Sequence, residues 1–172
     1  MDSISYTDIN NFDSNIFLIK RILKEQTLKL FSFIEDRKIF KDISLLLDST
    51  LSNYYEGYGY FDPPDLNKQK TPFLNSVILY TNGPYDLSIN IHIFAFNDTS
   101  KGDSLLKELI DTAIYYKVTR ITAFFHQDEV PAMEICVANG FGIINMVTKK
   151  SFNFIIMELN IFNISDISNI TV

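Results

Sequence analysis

Apolar residues recur along this chain at two spacings, and the switches between them predict its elements. Residues 3–9 read as a short first strand. From Ser14, a candidate N-cap, the apolar positions Ile16, Ile19, Leu23 and Leu30, with Ile22 and Phe33 beside them, keep helical spacing. Ile39, Ile43, Leu46 and Leu47 repeat that spacing over 38–51. No proline interrupts 14–51, so the pattern allows one bent helix or two.

The texture changes over 53–73, "NYYEGYGYFDPPDLNKQKTPF", which reads as a short strand followed by a long irregular loop. Two β-rich runs follow over 76–96, joined around Asn82-Gly83-Pro84, a hairpin signal. In the second run Ser88, Asn90 and His92 alternate with Ile89, Ile91 and Ile93, giving a polar and an apolar face. Leu105, Leu106, Leu109, Ile110, Ala113 and Ile114 then form a helical stripe. "TRITAFF" reads as a buried strand, and "VPAMEICVANG" as a helix with Pro131 in its first turn and Gly140 just past its end. Residues 141–149 and 151–161 form a closing pair of strands, followed by a polar-rich tail. The order β-α-α-β-β-β-α-β-α-β-β implies a mixed α/β (α+β) protein, a central mixed sheet flanked by helices. The β-α-β segment from His92 to Phe125 requires parallel pairing.

At 172 residues the chain has room for a single domain with one sizeable core. Its composition, 47% hydrophobic and 21% charged, is that of a globular protein. A net charge of −6 argues against a broad nucleic-acid footprint and is compatible with a cationic acceptor such as an amine. One cysteine, Cys136, excludes an internal disulfide and a Cys-cluster metal site. Two histidines, His92 and His126, are few for zinc, and the adjacency of His126, Asp128 and Glu129 makes a closed geometry awkward, so no metal is expected. The N-terminus lacks the layout of a signal peptide, and no apolar run reaches the length of about 18 residues needed to span a bilayer. A cytoplasmic protein with no membrane and no nucleic-acid partner is the expectation.

The stretch with candidate chemistry is "NDTSKGDSLLKELI", residues 97–110, a small polar turn between a strand and a helix. Helix N-termini present unsatisfied N–H groups and a partial positive charge, which suits a phosphate. The same turn has a second explanation, because Asp98 or Ser100 can cap the helix.

Two segments carry a family resemblance: Asn97-Asp98-Thr99-Ser100-Lys101-Gly102 before Leu105-Leu106, and "DEVPAMEICVANGF" with Ala132, Gly140 and Phe141. In that order and spacing they resemble the GCN5-related N-acetyltransferase (GNAT) family, which acetylates amines from acetyl-CoA. The family's pyrophosphate turn reads Gln/Arg-x-x-Gly-x-Gly/Ala. Here Gly102 matches, Ser100 replaces the first glycine and Asn97 replaces the Gln or Arg. Glu129 stands where the family has Asn, and Cys136 where it has Tyr. The resemblance covers 75–160, with 1–74 as the acceptor-side region and 161–172 as a tail.

The resemblance implies an acyl-CoA N-acyltransferase fold, with acetyl-CoA or another acyl-CoA as co-substrate and an amine, small-molecule or peptide, as acceptor. The chain would act as a monomer or homodimer. It implies that the strand before the turn, Ile93, Phe94, Ala95 and Phe96, pairs its backbone with the pantetheine arm. It further implies cofactor contacts from Asn97, Thr99, Ser100, Lys101, Gly102, Asp103, Ser104 and Glu129. His92 is the candidate base, on the polar face of its strand and with an ordinary pKa near neutrality, beside a water chain or another carboxylate. Cys136 is a candidate acid for the leaving thiolate, an acylated nucleophile or a buried core residue. Tyr55, Tyr58 and Tyr60 are candidate acceptor contacts, or an alternative proton donor. The losses in the turn and at the tyrosine position are also what a non-catalytic relative with a binding or regulatory role would show.

Overall fold

The computed structural model describes residues 5–8, 24–52, 56–62, 73–82, 87–149 and 152–161. The expected order of elements is realised. Strand β1 is Ser5–Asp8, residues 24–30 are helical (α1) and α2 is Arg37–Ser52. Strands β2 (Glu56–Asp62), β3 (Phe73–Asn82) and β4 (Ser88–Phe96) follow. Then come α3 (Thr99–Tyr115), β5 (Arg120–His126), α4 (Val130–Ala138), β6 (Gly142–Lys149) and β7 (Phe152–Asn160). The strands run β1-β2-β3-β4-β5-β7-β6 across a seven-stranded sheet. The Ser14 cap, the long loop at 63–72 and the Asn82-Gly83-Pro84 turn lie wholly or partly outside the described residues.

Contacts divide the chain into two compact units, Met1–Leu79 with Ile93–Leu105, and Tyr80–His92 with Leu106–Val172. In the first unit the region 24–52 forms two helices. Helix α1 ends in a turn in which the Phe31 and Ser32 amides bond back to the Leu28 and Lys29 carbonyls. The Asp36 carboxylate then accepts from the Lys38 amide at 2.7 Å, capping α2. Thr27, Leu30, Phe31 and Ile34 are buried at helical spacing, and Ile39 and Ile43 continue the core from α2. Strand β3 adds Val77, Ile78 and Leu79. Strands β1 and β2 pair antiparallel, Ser5 opposite Phe61 through Asp8 opposite Tyr58.

In the second unit, residues 88–91 of β4 and 120–123 of β5 pair in parallel, as their connection through α3 requires. Leu106, Leu109 and Ala113 of α3 are fully buried, as are Ile121 and Ala123 of β5. Both helices in this unit end in Schellman motifs, with paired bonds that satisfy their last carbonyls. For α4 the Phe141 amide reaches the Cys136 carbonyl and the Gly140 amide the Val137 carbonyl, each at 3.0 Å. Gly140 takes the left-handed conformation this closure needs, φ 90°. For α3 the same bonds run from Val118 to Ala113 and from Lys117 to Ile114, and here a lysine carries the left-handed φ of 57°.

Candidate functional site

The turn between β4 and α3 is closed by its own side chains. The Asp98 carboxylate accepts from the Ser100 amide at 2.8 Å and from the Ser100 hydroxyl at 2.6 Å. The Asp98 carbonyl takes the first helical bond, from the Gly102 amide at 2.9 Å. Asp98 is therefore the N-cap of α3, and the Ser100 hydroxyl, then its amide, hold its carboxyl below the ordinary carboxylate range. A carboxylate stands where a bound phosphate would bring its negative charge. The Ser104 hydroxyl is turned back to the Ser100 carbonyl at 2.8 Å. Asn97 is fixed to β3 twice, by its amide to the Asn75 carbonyl at 2.9 Å and by its carboxamide to Asn75 Oδ1 at 3.0 Å. Gly102 is buried, Lys101 and Asp103 are half-buried, and Thr99 is exposed.

Asn75, the partner that fixes Asn97, was not singled out by the sequence pattern. It lies buried in an apolar strand, and its Nδ2 has no hydrogen-bond partner among the described residues. A polar residue inside "FLNSVILY" was the available signal, because buried polar groups seek partners.

The parallel ladder of β4 and β5 runs from Ser88 opposite Arg120 to Ile91 opposite Ala123, and stops there. Both strands continue, β4 to Phe96 and β5 to His126. The first residues past the ladder, His92 and Phe124, stack their rings at 6.2 Å with 12° between planes. His92 is half-buried and its Nε2 lies 2.8 Å from the Thr81 hydroxyl. Burial pushes its pKa below the ordinary value, so the ring is neutral at neutral pH. Farther along β4, Ile93, Phe94 and Ala95 are buried and Phe96 is half-buried, its ring 5.2 Å from that of Phe94.

The turn from β5 into α4 holds a buried carboxyl. Glu129 Oε2 accepts from the His126 amide at 2.6 Å, and the Glu129 amide donates to the His126 carbonyl at 2.9 Å. Desolvation, reinforced by the Asp128 charge, pushes the Glu129 pKa up to about 8 against the amide's opposing pull, so this group holds its proton at neutral pH. His126 Nδ1 accepts from the Asp128 amide at 3.2 Å. On α4, Cys136 packs at zero exposure in the buried face with Ala132 and Ile135. Burial pushes its thiol up to about 12, so it is neither a thiolate nor a ready acid.

Of the candidate acceptor contacts, Tyr55 lies outside the described residues. Tyr58 and Tyr60 lie on β2, paired with Asp8 and Tyr6, and their side chains are likewise outside. Among the described residues no group of three or more His, Cys, Asp or Glu is arranged to hold a metal ion. No helix among them is long and apolar enough to cross a membrane.

This architecture is the GNAT acetyltransferase fold. An acetyltransferase assigned to the GNAT family from Desulfovibrio desulfuricans superposes with a TM-score of 0.63 at 13% identity, covering 92% of this chain and 99% of the other. The ribosomal-protein-S18-alanine N-acetyltransferase of Escherichia coli gives 0.62 at 13% identity, covering 91% and 93%. A protein of Salmonella typhimurium assigned as an acetyltransferase, solved with its cofactor acetyl-CoA, gives 0.58 at 11% identity, covering 93% and 95%. No protein-family model and no curated protein sequence matches the chain.

Proposed function

We propose that this protein binds an acyl-CoA, acetyl-CoA in the first instance, and transfers the acyl group to an amine by direct attack. The observation that carries the reading is the early end of the β4–β5 ladder at Ile91 and Ala123, in a fold whose solved examples include one holding acetyl-CoA. Past that point the backbone of Ile93, Phe94, Ala95 and Phe96 is the proposed partner of the pantetheine arm. The turn with Thr99, Lys101 and Gly102 is the proposed pyrophosphate end, once the Asp98 carboxylate has swung off the Ser100 amide.

In the transfer, the amine nitrogen bonds to the thioester carbonyl carbon and the carbon–sulfur bond breaks. The amine's proton leaves to a base, and the thiolate takes a proton and departs as CoA. His92, neutral at neutral pH, is suited to accept that proton. Cys136, with its thiol held at about 12, is better explained as a core residue than as the acid.

A second reading, a GNAT fold used for binding or regulation without catalysis, is favoured by one specific observation. The Asp98 carboxylate fills the anion position of α3. Calorimetry with CoA and acetyl-CoA, followed by thiol release against a panel of amines, separates the two. Binding with turnover supports the transferase. Binding without turnover supports the second reading, and absence of binding refutes acyl-CoA chemistry. Gly102→Glu abolishes binding if the backbone of the turn is the grip; undiminished binding places the cofactor elsewhere.

A further inference from the structure

Alternation along the strands of the second unit gives its sheet two unlike faces. On one, Ile121, Ala123 and Phe125 of β5 and Met157 and Leu159 of β7 are buried. The other carries Phe124 of β5, set opposite Ile156 of β7, and His126, set opposite Phe154. Ile156 and Phe154 are half-buried, and Val147 of β6, opposite Phe154, is 42% exposed. Phe124 is 40% exposed although β5 lies inside the sheet, between β4 and β7. Apolar side chains contiguous on an accessible face, rather than scattered singly, mark a binding surface.

This strip begins at the candidate base. The His92 ring stacks on Phe124 at 6.2 Å, and from Phe124 the apolar surface runs on through Ile156 to Phe154 and Val147. Neighbouring strands lie about 4.8 Å apart, so a group resting on Phe124 and Ile156 sits on the order of 5–10 Å from a nitrogen at His92. An amine joined to a ring or an alkyl chain by a short arm spans that distance. Charge on the face favours no polyion. Among the described side chains that β4, β5 and β7 place there, the only Asp, Glu, Lys or Arg are Arg120 and Glu158, one of each sign. They are diagonal neighbours in the register, Arg120 opposite Asn160 and Glu158 opposite Thr122. A polycationic acceptor would gain from a row of carboxylates and meets a single one, with a guanidinium diagonal to it.

We propose that this face holds the acceptor, and that the acceptor is an amine borne on an apolar group, aromatic or aliphatic. The group lies along Phe124, Ile156, Phe154 and Val147 while the amine nitrogen meets His92. This names the substrate class of the acyl transfer proposed above and rests on that reading for the role of His92.

The test compares 2-phenylethylamine with ethylamine and spermidine as acceptors for the full chain, following thiol release from acetyl-CoA. Burial of the phenyl group on the strip gives 2-phenylethylamine a kcat/KM on the order of 10- to 100-fold above that of ethylamine. Spermidine gains no such advantage. Phe124→Ala lowers the 2-phenylethylamine to ethylamine ratio about 10-fold. Val147→Glu, a change at an exposed position, lowers it in the same direction. Taking the ratio within each variant cancels any general loss of activity. Calorimetry with 2-phenylethylamine reads the strip without turnover. Equal or greater kcat/KM for ethylamine or spermidine, or a preference unchanged in both variants, overturns the inference and leaves acyl transfer standing. Binding of 2-phenylethylamine that Phe124→Ala weakens, with no turnover of any amine, supports the strip and refutes the transferase. Absence of binding and turnover alike overturns both.

Discussion

Glu129→Gln removes a buried titratable proton while leaving a carbonyl oxygen to accept from the His126 amide. In the folded protein the Glu129 carboxyl titrates at about 8, against an ordinary value of 4.5, with desolvation as the chief cause. Because the folded pKa lies above the unfolded one, the wild type's stability is fully present below about pH 4.5. It is lost progressively as pH rises to about 8, because the unfolded chain releases the proton first. At about 1.4 kcal/mol per pH unit, the accumulated loss across that window is on the order of 5 kcal/mol. The glutamine variant has no such proton. Urea denaturation of both proteins at pH 5, 6, 7, 8 and 9 measures the difference, and every other titrating group cancels in the subtraction. The variant's advantage should grow with pH through the window and level off above pH 8. Parallel pH profiles would refute the claim that Glu129 is neutral in the folded state.

Four further outcomes follow from the core, its caps and a half-buried ring. Leu109→Ala empties a fully buried site on α3 and should cost about 2–5 kcal/mol in urea denaturation, with an unchanged m-value. Lys117→Gly relieves a left-handed lysine at the C-terminus of α3, and an increase of about 0.5–1 kcal/mol is expected in the same assay. Cys136, at zero exposure with its thiol raised to about 12, should react with a disulfide reagent only as the protein unfolds. A fast native-state reaction would contradict its burial. His92, whose pKa burial lowers, contributes stability above the ordinary histidine value of 6.5 that is lost as pH falls below it. Its ring-proton NMR titration should therefore have a midpoint below 6.5.

The periodic signals were legible in the sequence because each element is fixed by which of its faces it buries. The stripe from Leu105 to Ala113 and the Gly140 cap were read directly, since helical spacing and a left-handed glycine are local requirements. Sequence could not choose between one helix and two over 14–51. An aspartate such as Asp36 is tolerated on an exposed helix face as well as preferred at a cap, and the turn at 31–33 decides it. Lys117 gave no warning of its left-handed backbone, because lysine is rare there and its side chain has no part in the bonds that close α3.

The candidate site divides along the same line. The order of strand, polar turn and helix, and the spacing to Gly140-Phe141, were local and carried the resemblance to the GNAT family. At the turn, sequence left open a phosphate cradle and a helix cap from Asp98 or Ser100. The placement of Asp98 Oδ1 against the Ser100 amide resolved the resting arrangement, because one N–H cannot fully serve two acceptors. The partners that set chemical character came from distant positions: Thr81 on His92, Asn75 on Asn97 and apolar packing around Cys136. The sequence by itself thus determined which segments are helix or strand and in what order. Only the tertiary structure decided which polar groups hold their protons, because desolvation and hydrogen bonding depend on what the folded chain brings within a few ångströms of each group.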